Sequence, residues 1–376
     1  MKLFRRCIAL LLVLVLAAAS PVTAFAARPQ TISLNVTYVN PIYADVITEA
    51  DLLSPQPSSA TVYSTRKHAE SVEEAGEILR EQMKARETTA SVSVYTDRAD
   101  EEFLTALCHA ISDAALEHTG VPTEGDYLMW QFGGWDASVG GSVLEDVYDL
   151  TITYTITQYT TAAQESTVDK AVSKLLSDLD LDDDPRYYQI EGIYDYICDN
   201  VTYDYDHPDD YSLKHTAYAA LIDGTAVCQG YALLLYRLAL ELGIDCRLIA
   251  GQSEGVNHGW NIIQLYPGSS YYNMDSTWDA GQSDYQYFLK SSSNFKDHAR
   301  FGEYETSDFH NTYPMSRNDF DVRNCSHDSV TSHTTNNIPA TPQTAPESIM
   351  VRKKTFLTLM PIYRAVFWLS PTTAIS

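Results

Sequence analysis

"DGTAVCQGYALLLYRLALELG" (residues 223–243) sets one cysteine, Cys228, where a loop gives way to a strongly apolar helix. Tyr231–Leu242 carries only two charges, Arg237 and Glu241, four residues apart and therefore on one stripe. A helix apolar on nearly every side belongs at the centre of a core rather than on its surface. Gly224 and Gly230 flank the cysteine, as a tight turn and a close backbone approach require. At a helix start the backbone N–H groups have no intrahelical partner and the helix dipole is positive, which suits a thiolate. The stretch therefore predicts a buried central helix with a nucleophile at its first turn.

Downstream, "CRLIAG" (246–251) reads as a strand, and "HGWNIIQLYPGSSYYNMDSTWD" (258–279) as two more. A turn at Pro267-Gly268 makes 260–266 and 271–276 a hairpin. Centring the turn there sets Asp275 opposite Trp260, with His258 next along on the same face. Diagonal neighbours across antiparallel strands lie about 7–8 Å apart, within reach of a His–Asp hydrogen bond. Cys228, His258 and Asp275 thus form a candidate catalytic set in which a thiol attacks an acyl carbon, an imidazole manages the proton and a carboxylate fixes the imidazole. Tyr203, Gln229, Trp260 and Trp278 are candidate pocket residues.

The rest of the chain divides around this region. Lys2, Arg5 and Arg6, the apolar run Ile8–Ala19 and Ala24-Phe25-Ala26 have the layout of a secretory signal peptide over 1–26. Its removal takes the formal charge from −25 to −28, since three cations and no acids leave with it. So acidic a chain is a poor partner for nucleic acid. Five of the six cysteines remain, Cys108, Cys198, Cys228, Cys246 and Cys325, an odd count that implies a free thiol in an exported protein. Residues 27–60 read as a lead-in with one short strand. Helical spacing over 70–85 and 103–116, and alternation in "SVSVY" (91–95) and "DLTITYTITQY" (149–159), make 61–165 a small α/β accessory domain.

A helix over 166–179 opens the second domain, 166–315, and another covers about 188–200. "DLDLDDDPRYYQ" (178–189) fails as a calcium loop, with Asp183 at the glycine position and Gln189 at the final glutamate position. Residues 316–376 read as a low-complexity linker and tail. The closing apolar segment, broken by Pro361 and Arg364, is a poor membrane span.

"AVCQGYA", "HGWNII" and "YYNMDSTWD", together with "NVTYDY" (200–205) and "YFLKSS" (287–292), resemble the signature segments of the transglutaminase-like superfamily of bacterial secreted proteins. The resemblance covers about 166–315. It implies an α+β, papain-like core, with the cysteine on a central helix against an antiparallel sheet. It also implies Cys228 as nucleophile, His258 as base and Asp275 as third member. The expected function is that of a secreted thiol enzyme acting on amide bonds of a protein or peptide, including one held at the cell wall, without a cofactor. Hydrolysis and amine transfer share the first half-reaction, and the resemblance leaves both open. Two competing readings are a non-catalytic extracellular module in which Cys228 is disulfide-bonded, Cys246 being the nearest partner, and a zinc site on Cys228 and His258. The zinc site lacks a CxxC pair or a second histidine close in sequence.

Overall fold

The computed structural model describes residues 34–39, 67–144, 147–205 and 212–324. The signal-like segment, Cys325 and the closing apolar segment lie outside them. Two hydrophobic clusters organise what is described.

The first cluster forms under a five-stranded sheet. Its strands are β1 (Leu34–Val39), β2 (His68–Ala69), β3 (Thr89–Thr96), β4 (Phe132–Leu144) and β5 (Val147–Gln158), in the order β1-β4-β5-β3-β2. All pairs are antiparallel except β2 with β3. The alternation read in β5 holds: Leu150, Ile152, Tyr154 and Ile156 are buried, while Thr151, Thr153 and Thr155 take the other face. Helices α1 (Val72–Lys84) and α2 (Glu101–Ala115) cover the dry face, each capped at its start by a side chain, Ser71 and Asp100. Two features differ from the sequence reading. The short strand in the lead-in is an edge strand of this sheet, and β4 was not foreseen at all.

A short helix, α3 (Asp126–Met129), leads from α2 into β4 and carries the contact between the clusters. Tyr127 and Trp130, at its middle and end, belong to the second cluster. Asp126 accepts both a forked pair of hydrogen bonds from Arg247 (2.6 and 2.9 Å) and the backbone N–H of Leu248 (2.9 Å).

The second cluster is built on helices α4 (Ala162–Leu179) and α5 (Arg186–Asn200), the parallel two-strand pair β6 (Thr202–Tyr203) and β7 (Thr225–Ala226), and α6 (Cys228–Glu241). The start of α4 lies four residues before the one read from the apolar pattern. Thr161 and Gln164 form a reciprocal capping box there, which satisfies the first N–H groups and moves the helix start ahead of its apolar stripe. Every residue of α6 from Gln229 to Leu240 is buried, as its composition demands. Arg237 is tolerated there because Asp169 (2.8 Å) and Glu241 (3.0 Å) pair with its guanidinium, which also lies over the Tyr127 ring.

Beside α6 stands an antiparallel sheet of β8 (Cys246–Ser253), β9 (Val256–Gln264), β10 (Tyr271–Met274) and β11 (His298–Arg300), ordered β10-β9-β8-β11. Met274 pairs with Asn261, so the predicted hairpin register is the observed one. A four-residue helix, α7 (Ser276–Asp279), follows β10, and α8 (Ser307–Thr312) closes the fold. The stretch read as linker from 316 is in part attached to the domain. Phe320 stacks on Tyr187, and Asp319 accepts from the backbone and hydroxyl of Ser291. Among the described residues no helix is long and apolar enough to cross a membrane.

Trp130 meets the sheet where Gly259 leaves a gap: a Cβ on Gly259 would lie 2.9 Å from the Trp130 ring. Trp130→Ala should therefore lower unfolding stability by about 3–5 kcal/mol, read by denaturant titration. Gly259→Ala should destabilise the wild type yet cost little in the Trp130→Ala background. Additive effects of the two changes would show that the two positions do not share this contact.

Candidate active site

The loop–helix transition puts Cys228 at the first position of α6, half-buried. Val227, which precedes it, provides no side-chain cap, and its carbonyl accepts from the N–H of Gly230 at 2.9 Å. His258 comes from β9 and Asp275 from the residue after β10, brought together by the register just described. The Nε2–H of His258 donates to Asp275 Oδ2 at 2.6 Å, and the Cys228 side chain lies near enough to the His258 ring to favour its charged form. Since Nε2 is taken by Asp275, the thiol side falls to Nδ1.

Asp275 is almost inaccessible to water, with 1% of its side chain exposed. It is also the N-cap of α7: Oδ1 accepts from the N–H groups of Thr277 (3.0 Å) and Trp278 (3.4 Å). Burial alone would raise its proton affinity, but the adjoining His258 and His298 outweigh burial and hold the carboxyl at about 2. His258 shows the mirror effect. Burial opposes its charged form, but Asp275, helped by the neighbouring Cys228, raises it to about 10. The arrangement favours an imidazolium between a sulfur and a carboxylate.

The remaining candidates fall into different places. Trp278 is half-buried with its edge toward His258 at 6.0 Å, as a wall residue would be. Trp260 is 1% exposed and lies behind the His258 ring as core. Tyr203 is half-buried on β6, in register with Ala226, two residues before Cys228. Gln229 is not a pocket residue. The helical turn that presents Cys228 outward points the next side chain inward, where its buried amide donates to the Trp130 carbonyl.

Two competing readings also change. Cys108, Cys198, Cys228 and Cys246 are all free, so the Cys228–Cys246 disulfide is absent. Cys246 is instead sealed in the core beside Asn261, and burial raises its thiol well above the ordinary range. Burial likewise raises Cys108, to about 12, and Cys198. A second histidine does stand near His258, although the sequence offers no close neighbour: His298 Nε2 lies 3.0 Å from Asp275 Oδ2. His258, Asp275 and His298 are the described group with metal-ligand spacing, their ligating atoms all within 4.8 Å. Those atoms already satisfy one another, so the group is closed as a hydrogen-bonded network. Sequence reasoning missed His298 because β11 reaches the site across β8, and no spacing rule in the chain links 258 to 298.

Residues 173–276 match the family model of the transglutaminase-like superfamily. The chain carries a transglutaminase-like domain. The match spans Cys228, His258 and Asp275 and ends before His298. The mouse (Mus musculus) kyphoscoliosis peptidase is 27% identical over 138 residues, 33% of this chain. The chain spans only 20% of that relative's length. Two solved structures are similar at 14% identity. One, a crystal structure of a TGase, covers 61% of this chain and 62% of its own, with a TM-score of 0.22. The other, a candidate cysteine protease from Cytophaga hutchinsonii, covers 44% and 65%, with a TM-score of 0.24.

The paired shifts in the transglutaminase-like domain give a pH signature. A raised histidine contributes stability that is complete below its unfolded value, about 6.5, and is lost as pH rises through the folded value. The difference in thermal midpoint between wild type and His258→Ala should therefore shrink as pH rises from about 6.5 toward 10. A difference that is constant across this window would show that His258 is not held in its charged form by Asp275.

Proposed function

We propose that this protein is a thiol enzyme that opens amide bonds of a protein or peptide through a Cys228 thioester. The observation that carries the reading is a His258 imidazole that is hydrogen-bonded to a buried Asp275 at 2.6 Å and interacts with the Cys228 side chain. In the proposed reaction the thiolate sulfur attacks the amide carbonyl carbon, and its electron pair becomes the new C–S bond. His258 then gives its proton to the departing amine as the C–N bond breaks, leaving the thioester and a neutral imidazole. An incoming water or amine attacks the thioester, His258 takes its proton, and the sulfur leaves with the C–S electron pair. Asp275 keeps Nε2 protonated throughout and offsets the charge of the imidazolium.

The signal-like segment at 1–26 supports export, and the acidic balance suits a protein that works outside the cell. Casein with a labelled amine separates the acceptors. Label in the polymer means transfer, and shorter fragments mean hydrolysis.

The chemistry itself is tested at the thiol. Cys228 should be alkylated faster than Cys108, Cys198 or Cys246, and His258→Ala should slow that reaction while leaving Cys228 accessible. Asp275→Asn should keep the fold and reduce turnover by roughly two orders of magnitude or more, because an amide holds the wrong tautomer and offsets no charge. Equal alkylation of all folded-state thiols, mapped by peptide, would reduce Cys228 to a packing residue. An Asp275→Asn chain that unfolds would make Asp275 a helix cap alone.

A further inference from the structure

Resting on that reading, we propose that His298 is a fourth member of the site, a positioning residue that holds the Asp275 carboxylate for His258. Asp275 Oδ2 accepts two imidazole N–H groups, His258 Nε2 at 2.6 Å and His298 Nε2 at 3.0 Å. The other nitrogen of His298 lies 2.9 Å from Asp297 Oδ1. Both ring nitrogens of His298 therefore face carboxylate oxygens, which only accept. The second carboxylate is itself anchored, since Tyr287 donates its hydroxyl to Asp297 Oδ2 at 2.6 Å. The network thus runs from His258, beside Cys228, through Asp275, His298 and Asp297 to Tyr287.

The surroundings show that this ring is more than filler. Its side chain has no exposure, and it is enclosed by Phe295, stacked at 4.0 Å, and by Trp260, Trp278 and Tyr287. A phenyl ring would satisfy such a box at no cost in desolvated polar atoms. The imidazole instead spends both nitrogens on carboxylates, one of which supports His258. The backbone makes room for the approach at Gly251. A Cβ there would lie 2.1 Å from the Ala299 carbonyl oxygen of β11 and 2.6 Å from the Trp260 ring.

One consequence follows for Cys228. Oδ2 is fixed from two sides, so the His258 ring keeps one orientation toward the sulfur.

The test is the rate of Cys228 alkylation by iodoacetamide at neutral pH in the full chain, followed by peptide mapping, with the thermal midpoint measured on each variant. His298→Leu should slow alkylation about tenfold or more, the scale of one hydrogen bond to a charged group. His298→Gln, whose amide N–H still reaches toward Asp275, should recover to within about threefold of wild type while its midpoint falls as far as that of the Leu variant. Asp297→Asn, at the more exposed end of the network, should keep the fold and slow the reaction about threefold. Equal losses in the Leu and Gln variants, in step with their midpoints, would make His298 a packing residue and overturn the proposal. If the Leu variant does not fold, an unchanged rate in Asp297→Asn overturns it. Slowing in His258→Ala without slowing in the His298 variants rejects the role of His298 and leaves the thiol chemistry standing. A wild-type Cys228 no faster than a simple thiol rejects both.

Discussion

A carboxylate stripped of water is the constraint around which this fold closes. Asp275 can remain charged in the interior only if protein groups replace the solvent it has lost. Its four donors come from separate places: two backbone N–H groups at the start of α7, one imidazole from β9 and one from β11. None of the four is available unless the hairpin has its register, α7 has turned and β11 has joined the far edge of the sheet. The next carboxylate along the chain applies the same logic to the following loop. Asp279 is buried and accepts from the Tyr194 hydroxyl and from the N–H groups of Gln286 and Tyr287. That ties the loop at 286–287 to α5 and places Tyr287 beside Asp297. The site is consequently a by-product of solving a desolvation problem twice, on adjacent turns.

The second demand comes from α6. A helix buried on all sides needs a partner on each, and the sheet and α5 supply only some of them. The accessory unit supplies another through Tyr127 and Trp130. Its polar contacts fall at both ends of the central layer: Gln229 to Trp130 at the start of α6, and Asp126 to Arg247 on β8. The pairing of Arg86 with Glu165 at 2.9 Å adds a buried ion pair between the units. The N-terminal sheet is thus part of the support beneath Cys228.

Much of this was legible because one physical rule dominated locally. The period of α6 and its lack of charge announced a central helix, and the strict alternation of β5 announced a half-wet strand. Pro267-Gly268 fixed a turn, and the turn fixed which residue faced Trp260. What escaped had no local rule. The glycines of β4 hide its pattern, and two of them answer a close approach: a Cβ would lie 2.1 Å from the Asp149 carbonyl oxygen at Gly141 and 2.2 Å from the Tyr38 carbonyl oxygen at Gly134. Gln229 looked like a pocket residue because it adjoins the cysteine, yet adjacent residues on a helix face different ways. His298 reaches Asp275 through the pairing of β11 with β8, a neighbour relation that exists only once the sheet is assembled.

The fit of Trp130 against Gly259 also bears on descent. The space a side chain at 259 would occupy is filled by a ring encoded more than a hundred positions earlier, ahead of the first helix of that core. Recombination that carried residues 161–324 into a new gene without their N-terminal unit would leave a hollow the size of an indole next to His258. The unit that has to stay together is therefore larger than the segment that holds the candidate site. Position 130 and position 259 are one character written in two places.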